Sequence, residues 1–223
     1  MQEKLKLWFE TLGDKQNPDE FDAKQLMALY SIKTPPGNRI GPLEALDIQD
    51  INPPYVLKVC SPDILHKTEM QGVILNNDRE SIGGNFETLR LRFPHENLLV
   101  ENQAGFMGPE FIVGIIRDPV LGHAVMVGAG GVLTEIYKDT AFRLAPCSVT
   151  DAVDMIDELV LAPVFNHFRG MVLDKQKLAM TISRVSQLAH DLGDRLSQLD
   201  INPIVFSEGD WIALDVKVVL EKE

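Results

Sequence analysis

Hydrophobic positions along the chain fall into two rhythms. Residues 4–12 carry apolar side chains at helical spacing and predict a first helix. Residues 22–32 predict a second, with Leu26, Met27, Leu29 and Tyr30 turned toward one side. A polar, proline-containing linker, residues 14–19, separates them. Pro35-Pro36-Gly37 then breaks the chain into an extended loop. Tyr55-Val-Leu-Lys-Val59 is a compact apolar run that reads as a buried strand, followed by a loop over residues 61–70 and a second strand over residues 72–75. Residues 79–92 are polar and helical toward their end.

From Asn97 the pattern turns to β. Residues 98–101, 110–117 and 123–127 read as three strands joined by Gly- and Pro-containing turns, with Asp118-Pro-Val-Leu-Gly122 as a hairpin loop. A glycine cluster, Gly128-Ala-Gly-Gly131, leads into another short run. Thr150 stands as the N-cap of a helix over residues 150–160, and a longer helix is expected from about Asp174 to Gln198. Two last strands, near residues 204–206 and 211–219, flank a turn at Glu208-Gly-Asp210. No internal repeat is visible. The expectation is an α+β chain of two lobes meeting near residue 100, divided as 1–97 and 98–223.

Composition narrows this picture. Of 223 residues, 45% are hydrophobic and 24% charged, which is ordinary for a globular protein and excludes disorder, collagen and coiled coil. The net charge of -12 repels phosphate backbones, so nucleic acid is not an expected partner, although a local pocket for a small anion is compatible with it. Cys60 and Cys147 have neither zinc spacing nor the number for a disulfide framework, which suggests a reduced, cytoplasmic setting. Residues 1–10 read as the start of an amphipathic helix and not as a signal peptide. The longest apolar stretches, residues 111–116 and 124–133, are too short or too glycine-rich to span a bilayer, so no membrane association is expected.

Several features can carry chemistry. Lys58 interrupts an apolar strand, and a lysine placed there either snorkels to water or meets an anion such as phosphate. His66 lies in a polar loop followed directly by Lys67, where a histidine is a surface residue, a proton shuttle, a ligand or a nucleophile. His95, His123, His167 and His190 read as structural. Asp200-Ile-Asn202 would put Asp200 and Asn202 on one face of a strand, and a turn at Gly209 would bring Asp215 to Asn202. Such a set is either an Asx turn beside a solvent-facing acid or a partial magnesium site completed by phosphate and water. Gly128-Ala-Gly-Gly131 is a tight turn or a backbone cradle for phosphate, but it is neither a Walker A loop nor a G-x-G-x-x-G motif. Arg117 and Arg143 are solvated arginines or anion clamps.

Taken together, these segments resemble the ATP-grasp domain of ADP-forming acyl-CoA synthetases. The resemblance rests on the run from Tyr55 to Val73 with His66-Lys67-Thr68-Glu69, on Glu110-Phe-Ile-Val-Gly-Ile-Ile-Arg-Asp-Pro119, and on Gly128-Ala-Gly-Gly-Val-Leu-Thr-Glu135. Phe142-Arg-Leu-Ala-Pro146, Phe168-Arg-Gly170 and Leu199-Asp-Ile-Asn-Pro-Ile204 follow in the family's order. The resemblance implies an ATP-grasp fold of two lobes, each a β-sheet with helices, with the nucleotide bound between them. It implies the beta subunit of an enzyme interconverting acyl-CoA, ADP and phosphate with acid, CoA and ATP, active with a CoA-binding alpha subunit.

By the same resemblance His66 relays the phosphoryl group, and Lys58, Glu101, Glu110 and Arg117 bind ATP or ADP. Asn202 and Asp215, with Asp200, hold Mg2+. Alternatives are an ATP-grasp ligase without a phosphohistidine and a non-catalytic nucleotide-binding regulatory subunit. This chain departs from the family in three places. Gln71-Gly72 stands where two glycines are usual, the stretch over residues 41–53 is shorter, and the wording of residues 101–108 is unusual.

Overall fold

A computed structural model describes residues 2–13, 15, 17–64, 67–131 and 138–221. The chain groups into two compact units, residues 19–22 with 35–104, and residues 1–18, 23–34 and 105–223. Such units are sets of residues in contact and not single stretches of chain, so they do not fall on either side of one cut after residue 97.

The smaller unit holds a four-stranded antiparallel sheet in the order β1 (Gly37–Ile40), β4 (Asn97–Asn102), β2 (Tyr55–Cys60), β3 (Val73–Asn77). The segment after Pro36, expected to be loop, supplies the edge strand β1. One face of the sheet carries Tyr55, Leu57, Val59, Leu98 and Val100, which pack with Ile82, Phe86 and Leu89 of α3 (Ile82–Arg92). Strand alternation sends Val56, Lys58, Cys60, Leu99 and Glu101 to the other face, and these too are buried. Gln71 adopts a left-handed backbone, φ 54°, which explains why a glycine is usual at that position. At Gly72 the requirement is space, because a Cβ there would lie 2.6 Å from the Val59 side chain.

The larger unit is built on a six-stranded antiparallel sheet. Its order is β10 (Val216–Leu220), β8 (Leu196–Ser207), β5 (Phe111–Asp118), β6 (Gly122–Ala129), β7 (Thr140–Leu144), with β9 (Asp210–Ala213) paired to β8. Helices α4 (Val149–Asp157) and α5 (Lys175–Leu192) pack on one face. There Ala152, Met155, Ile156, Leu178, Ile182, Val185 and Ala189 meet Val113, Ile115, Leu199 and Ile201 in the main core. Helix α1 (Gln2–Leu12) and the later turns of α2 (Glu20–Leu29) add Leu5, Trp8, Leu26 and Met27 to that core.

Three expectations are corrected here. The N-cap of α4 is Ser148 and not Thr150, because Ser148 Oγ accepts from the Asp151 N–H while the Asp151 carboxylate accepts from the Ser148 N–H, a reciprocal capping box. The helix expected to run to Gln198 stops at Leu192, where Gly193 (φ 53°) and a 3-10 turn redirect the chain, and Leu196 already belongs to β8. The strand expected over residues 211–219 is two strands, interrupted at Leu214 and Asp215.

Candidate functional site

In the smaller unit the site begins at Lys58. Its neighbours Leu57 and Val59 face the core, so the period-2 alternation turns Lys58 to the opposite face, where the residue is only 7% exposed. The ammonium does not snorkel to water. It lies 2.7 Å from Glu20 Oε1 and 2.9 Å from Glu101 Oε2. Register explains the second contact, since Lys58 pairs with Leu99 and Val56 with Glu101, making Lys58 and Glu101 diagonal neighbours on one face. Gly37 pairs with Glu101 from β1, and a Cβ there would sit 2.6 Å from Glu101 Cγ, so only a glycine allows this approach.

Glu20 is shared, because its other carboxylate oxygen takes the ammonium of Lys67. Beside it Arg39 bridges Asp19 at 2.9 Å and Asp22 at 2.7 Å. Burial of this much charge is tolerated because each group is paired. The Cys60 thiol, on the same face, is pushed well above its ordinary value, by burial first and then by the Asp19 charge.

In the larger unit, Asp200 and Asn202 alternate with the buried Leu199 and Ile201. They therefore share the sheet face opposite α4 and α5, as their spacing suggests. Asp200 pairs with Gly114 of β5 on one side and with Lys217 of β10 on the other. The break between β9 and β10 folds against residues 202 and 203. Asn202 N donates to Asp215 O at 3.1 Å and Leu214 N to Pro203 O at 2.9 Å, which brings Asp215 to Asn202. The glycine turn joins them, since Gly131 N donates to Asn202 Oδ1 at 3.0 Å and Gly130 N to Glu110 O at 2.7 Å. Gly131 has φ 64°, and a side chain on it would run into the Glu110 carboxylate.

Burial, and then the charge of Asp215, hold the Asp200 carboxyl above its usual range, while Lys217 pulls it the other way. Asn202 Oδ1 has used one of its two lone-pair directions on Gly131. Hard oxygen donors of this kind suit Mg2+. Among the described residues, no group of three or more His, Cys, Asp or Glu side chains is disposed to hold a metal alone. A magnesium ion here would draw its remaining ligands from phosphate and water.

Other expected site residues lie elsewhere. Arg117, near the hairpin end of β5, is 2.6 Å from Asp194 and 3.6 Å from Glu221. It is six residues along the strand from Phe111, about 20 Å at the usual rise, so it is not brought to the glycine turn. Arg143 is tied to Glu158. His123 bonds the Leu196 carbonyl at 2.7 Å, in a structural role. His66 lies outside the described residues, as do residues 132–137 with Thr134 and Glu135. The sequence reading missed Glu20 and Lys217. Glu20 precedes Lys58 by 38 residues, and no local pattern links them. Lys217 left a usable trace, a charged residue between the apolar Val216 and Val218 two positions after Asp215.

Residues 12–220 match the ATP-grasp domain family. The chain is 36% identical over 211 residues to the beta subunit of ADP-forming acetate–CoA ligase I from Pyrococcus furiosus, covering 90% of each. A crystal structure of a Pyrococcus horikoshii protein superposes with a TM-score of 0.89 at 30% identity, covering 100% of both chains. Another similar structure is the dinucleotide-forming acetyl-coenzyme A synthetase 1 of Ca. Korarchaeum cryptofilum, with a TM-score of 0.82 at 27% identity over 99% of this chain and 100% of that one. It was solved with coenzyme A and Mg-AMPPCP, its phosphohistidine segment pointing towards the nucleotide binding site. The chain is an ATP-grasp domain, and within that family it belongs with the beta subunits of ADP-forming acyl-CoA synthetases. Among the described residues, no helix is long and apolar enough to cross a membrane.

Proposed function

We propose that this chain is the nucleotide-binding beta subunit of an ADP-forming acid–CoA ligase, which interconverts acyl-CoA, ADP and phosphate with acid, CoA and ATP. A partner alpha subunit supplies the CoA site. The observation that carries the reading is the convergence of Asn202 and Glu110 on the turn at Gly130 and Gly131, with Asp215 hydrogen-bonded to Asn202 through its backbone and its charge felt by Asp200, in a chain with this family membership.

In this reading residues of both units contribute to nucleotide binding. Lys58 takes phosphate oxygens, Glu101 lies at the adenine end and Glu110 meets the ribose. A phosphate approaching Lys58 exchanges with a carboxylate oxygen, so the ammonium passes from one anionic partner to another without being left bare. Asn202 and Asp215, with Asp200 beside them, hold Mg2+, which when bound neutralises phosphate charge. The chain's own work is to orient the nucleotide and to carry the phosphoryl group on His66. The acyl phosphate gives its phosphoryl group to a histidine of the alpha subunit and releases the carboxylate; the His66 imidazole then attacks that phosphorus, forming its own N–P bond as the donor N–P bond breaks and the donor imidazole leaves. The N–P bond then breaks as a terminal oxygen of ADP attacks, giving ATP. A histidine suits this relay because a good fraction of its imidazole is unprotonated near neutral pH.

The test is incubation of the purified chain with magnesium and ATP, with His66→Ala in parallel, reading intact mass and acid-labile phosphate. An adduct lost in the variant is the expected result. Magnesium-dependent ATP binding that yields no adduct, even with an alpha subunit present, would move the chain to an ATP-grasp ligase without a phosphohistidine. Failure to bind ATP at all would overturn the reading.

A further inference from the structure

Lys217 is a cation of the larger unit that the residues assigned above leave without a role. Lys217 lies on β10 between Val216 and Val218, each 1% exposed, so its side chain stands on the face opposite the core. That face also carries Asp200 and Asn202, and Lys217 pairs directly with Asp200 across β8 and β10. Opposite charges so placed ordinarily form an ion pair. Here they do not, for a geometric reason. On its other side Asp200 is paired with Gly114, and its Oδ1 lies 4.0 Å from where a Gly114 Cβ would be. With no side chain at position 114, the carboxylate leans toward β5 and away from β10. Among the described residues Lys217 donates no hydrogen bond and forms no ion pair, and it acts on Asp200 only at longer range. The result is a half-buried lysine on the face that carries the oxygen donors Asp200 and Asn202, not ion-paired with Asp200.

We propose that Lys217 binds the terminal phosphate of a magnesium-bound nucleoside triphosphate. The inference rests on the reading of Asn202 and Asp215 as the metal site. A metal held there would sit among phosphate oxygens, and Lys217 pairs across β8 and β10 with Asp200, on the sheet face that also carries Asn202. A lysine is suited to this role as a compact point charge with three donors on a flexible stem. It also answers the carboxylates, which would otherwise repel a phosphate from this face.

The experiment is titration calorimetry of the purified chain with Mg-ATP and Mg-ADP, comparing wild type, Lys217→Met and Lys217→Arg. Loss of one charge-assisted contact is expected to weaken Mg-ATP binding about tenfold or more in Lys217→Met, with Mg-ADP changed less than about twofold and Lys217→Arg retaining most of the affinity. Equal Mg-ATP affinity in Lys217→Met and wild type, or equal losses for ATP and ADP, would overturn the proposal. A second measurement needs no variant. Acetic anhydride labelling of the wild type, read by peptide mass spectrometry, should show Lys217 protected by Mg-ATP and not by Mg-ADP. Equal labelling of Lys217 under both conditions would sink the idea. If the wild type binds no Mg-ATP, the metal-site reading fails instead, so the two failures are distinguishable.

Discussion

Replacing Glu20 with glutamine tests the buried charge network of the smaller unit. Lys58 and Glu20 have side chains 9% and 3% exposed, and Lys67 is 13% exposed, so water does little to screen the change. The substitution keeps the shape of the side chain and removes an anion shared by two ammonium groups. Deleting one partner of a buried pair usually costs about 3–5 kcal/mol. Lys58 retains Glu101 at 2.9 Å, which places the expected loss toward the lower end, about 3 kcal/mol. For a chain of this size that corresponds to a fall of about 6–12 °C in the midpoint of the affected transition. Scanning calorimetry should show the shift in the transition that melts residues 19–22 and 35–104. Adding Lys58→Met should recover part of the loss, with a coupling of about 1–3 kcal/mol in the double-mutant cycle. A Glu20→Gln protein melting within about 2 °C of wild type, or strictly additive variants, would refute the reasoning.

Three further outcomes follow from the same coordinates. Asn202→Ala should reduce the magnesium-dependent part of ATP affinity by about tenfold or more, with a fall of only about 2–4 °C in the melting midpoint from the lost Gly131 hydrogen bond, checked by titration with and without magnesium. Gln71→Gly should stabilise the chain by about 1 kcal/mol, because Gln71 sits at φ 54°, and a urea titration would register it as a higher midpoint at unchanged slope. Cys60 and Cys147 are both buried with thiols held above their ordinary value, chiefly by burial. A raised thiol is protonated at pH 8, so a thiol reagent should react slowly with the native chain, faster as pH rises, and promptly with both cysteines in denaturant; fast native labelling at pH 8 would contradict that burial.

Much of the chemistry was legible because it is local. Alternation alone put Asp200 and Asn202 on one face, and the two β-strands around Gly209 brought Asp215 back to Asn202, as short hairpins must. The helix over residues 174–198 was read too long because Gly193 and Asp194 carry the stop signal, while the polar residues after them continue a helix-compatible pattern. The strand over residues 211–219 reads as continuous because neither Leu214 nor Asp215 is a glycine or proline that would mark the break.

The sequence by itself determined which residue types sit at which spacing. That was enough for the α+β class, for the carboxylate and amide set near residue 200, and for the family resemblance carried by several ordered motifs. Only the tertiary structure decided what neutralises Lys58, because Glu20 comes from the start of α2 and Glu101 from a strand brought alongside by register. It also decided that Arg117 stands away from the glycine turn and that Lys217 stands on the same sheet face as Asp200. The physical reason is that spacing along a strand specifies a face, whereas a charge partner is specified by which strand is the neighbour. Hydrophobic periodicity carries the first, and only closure of the sheets supplies the second.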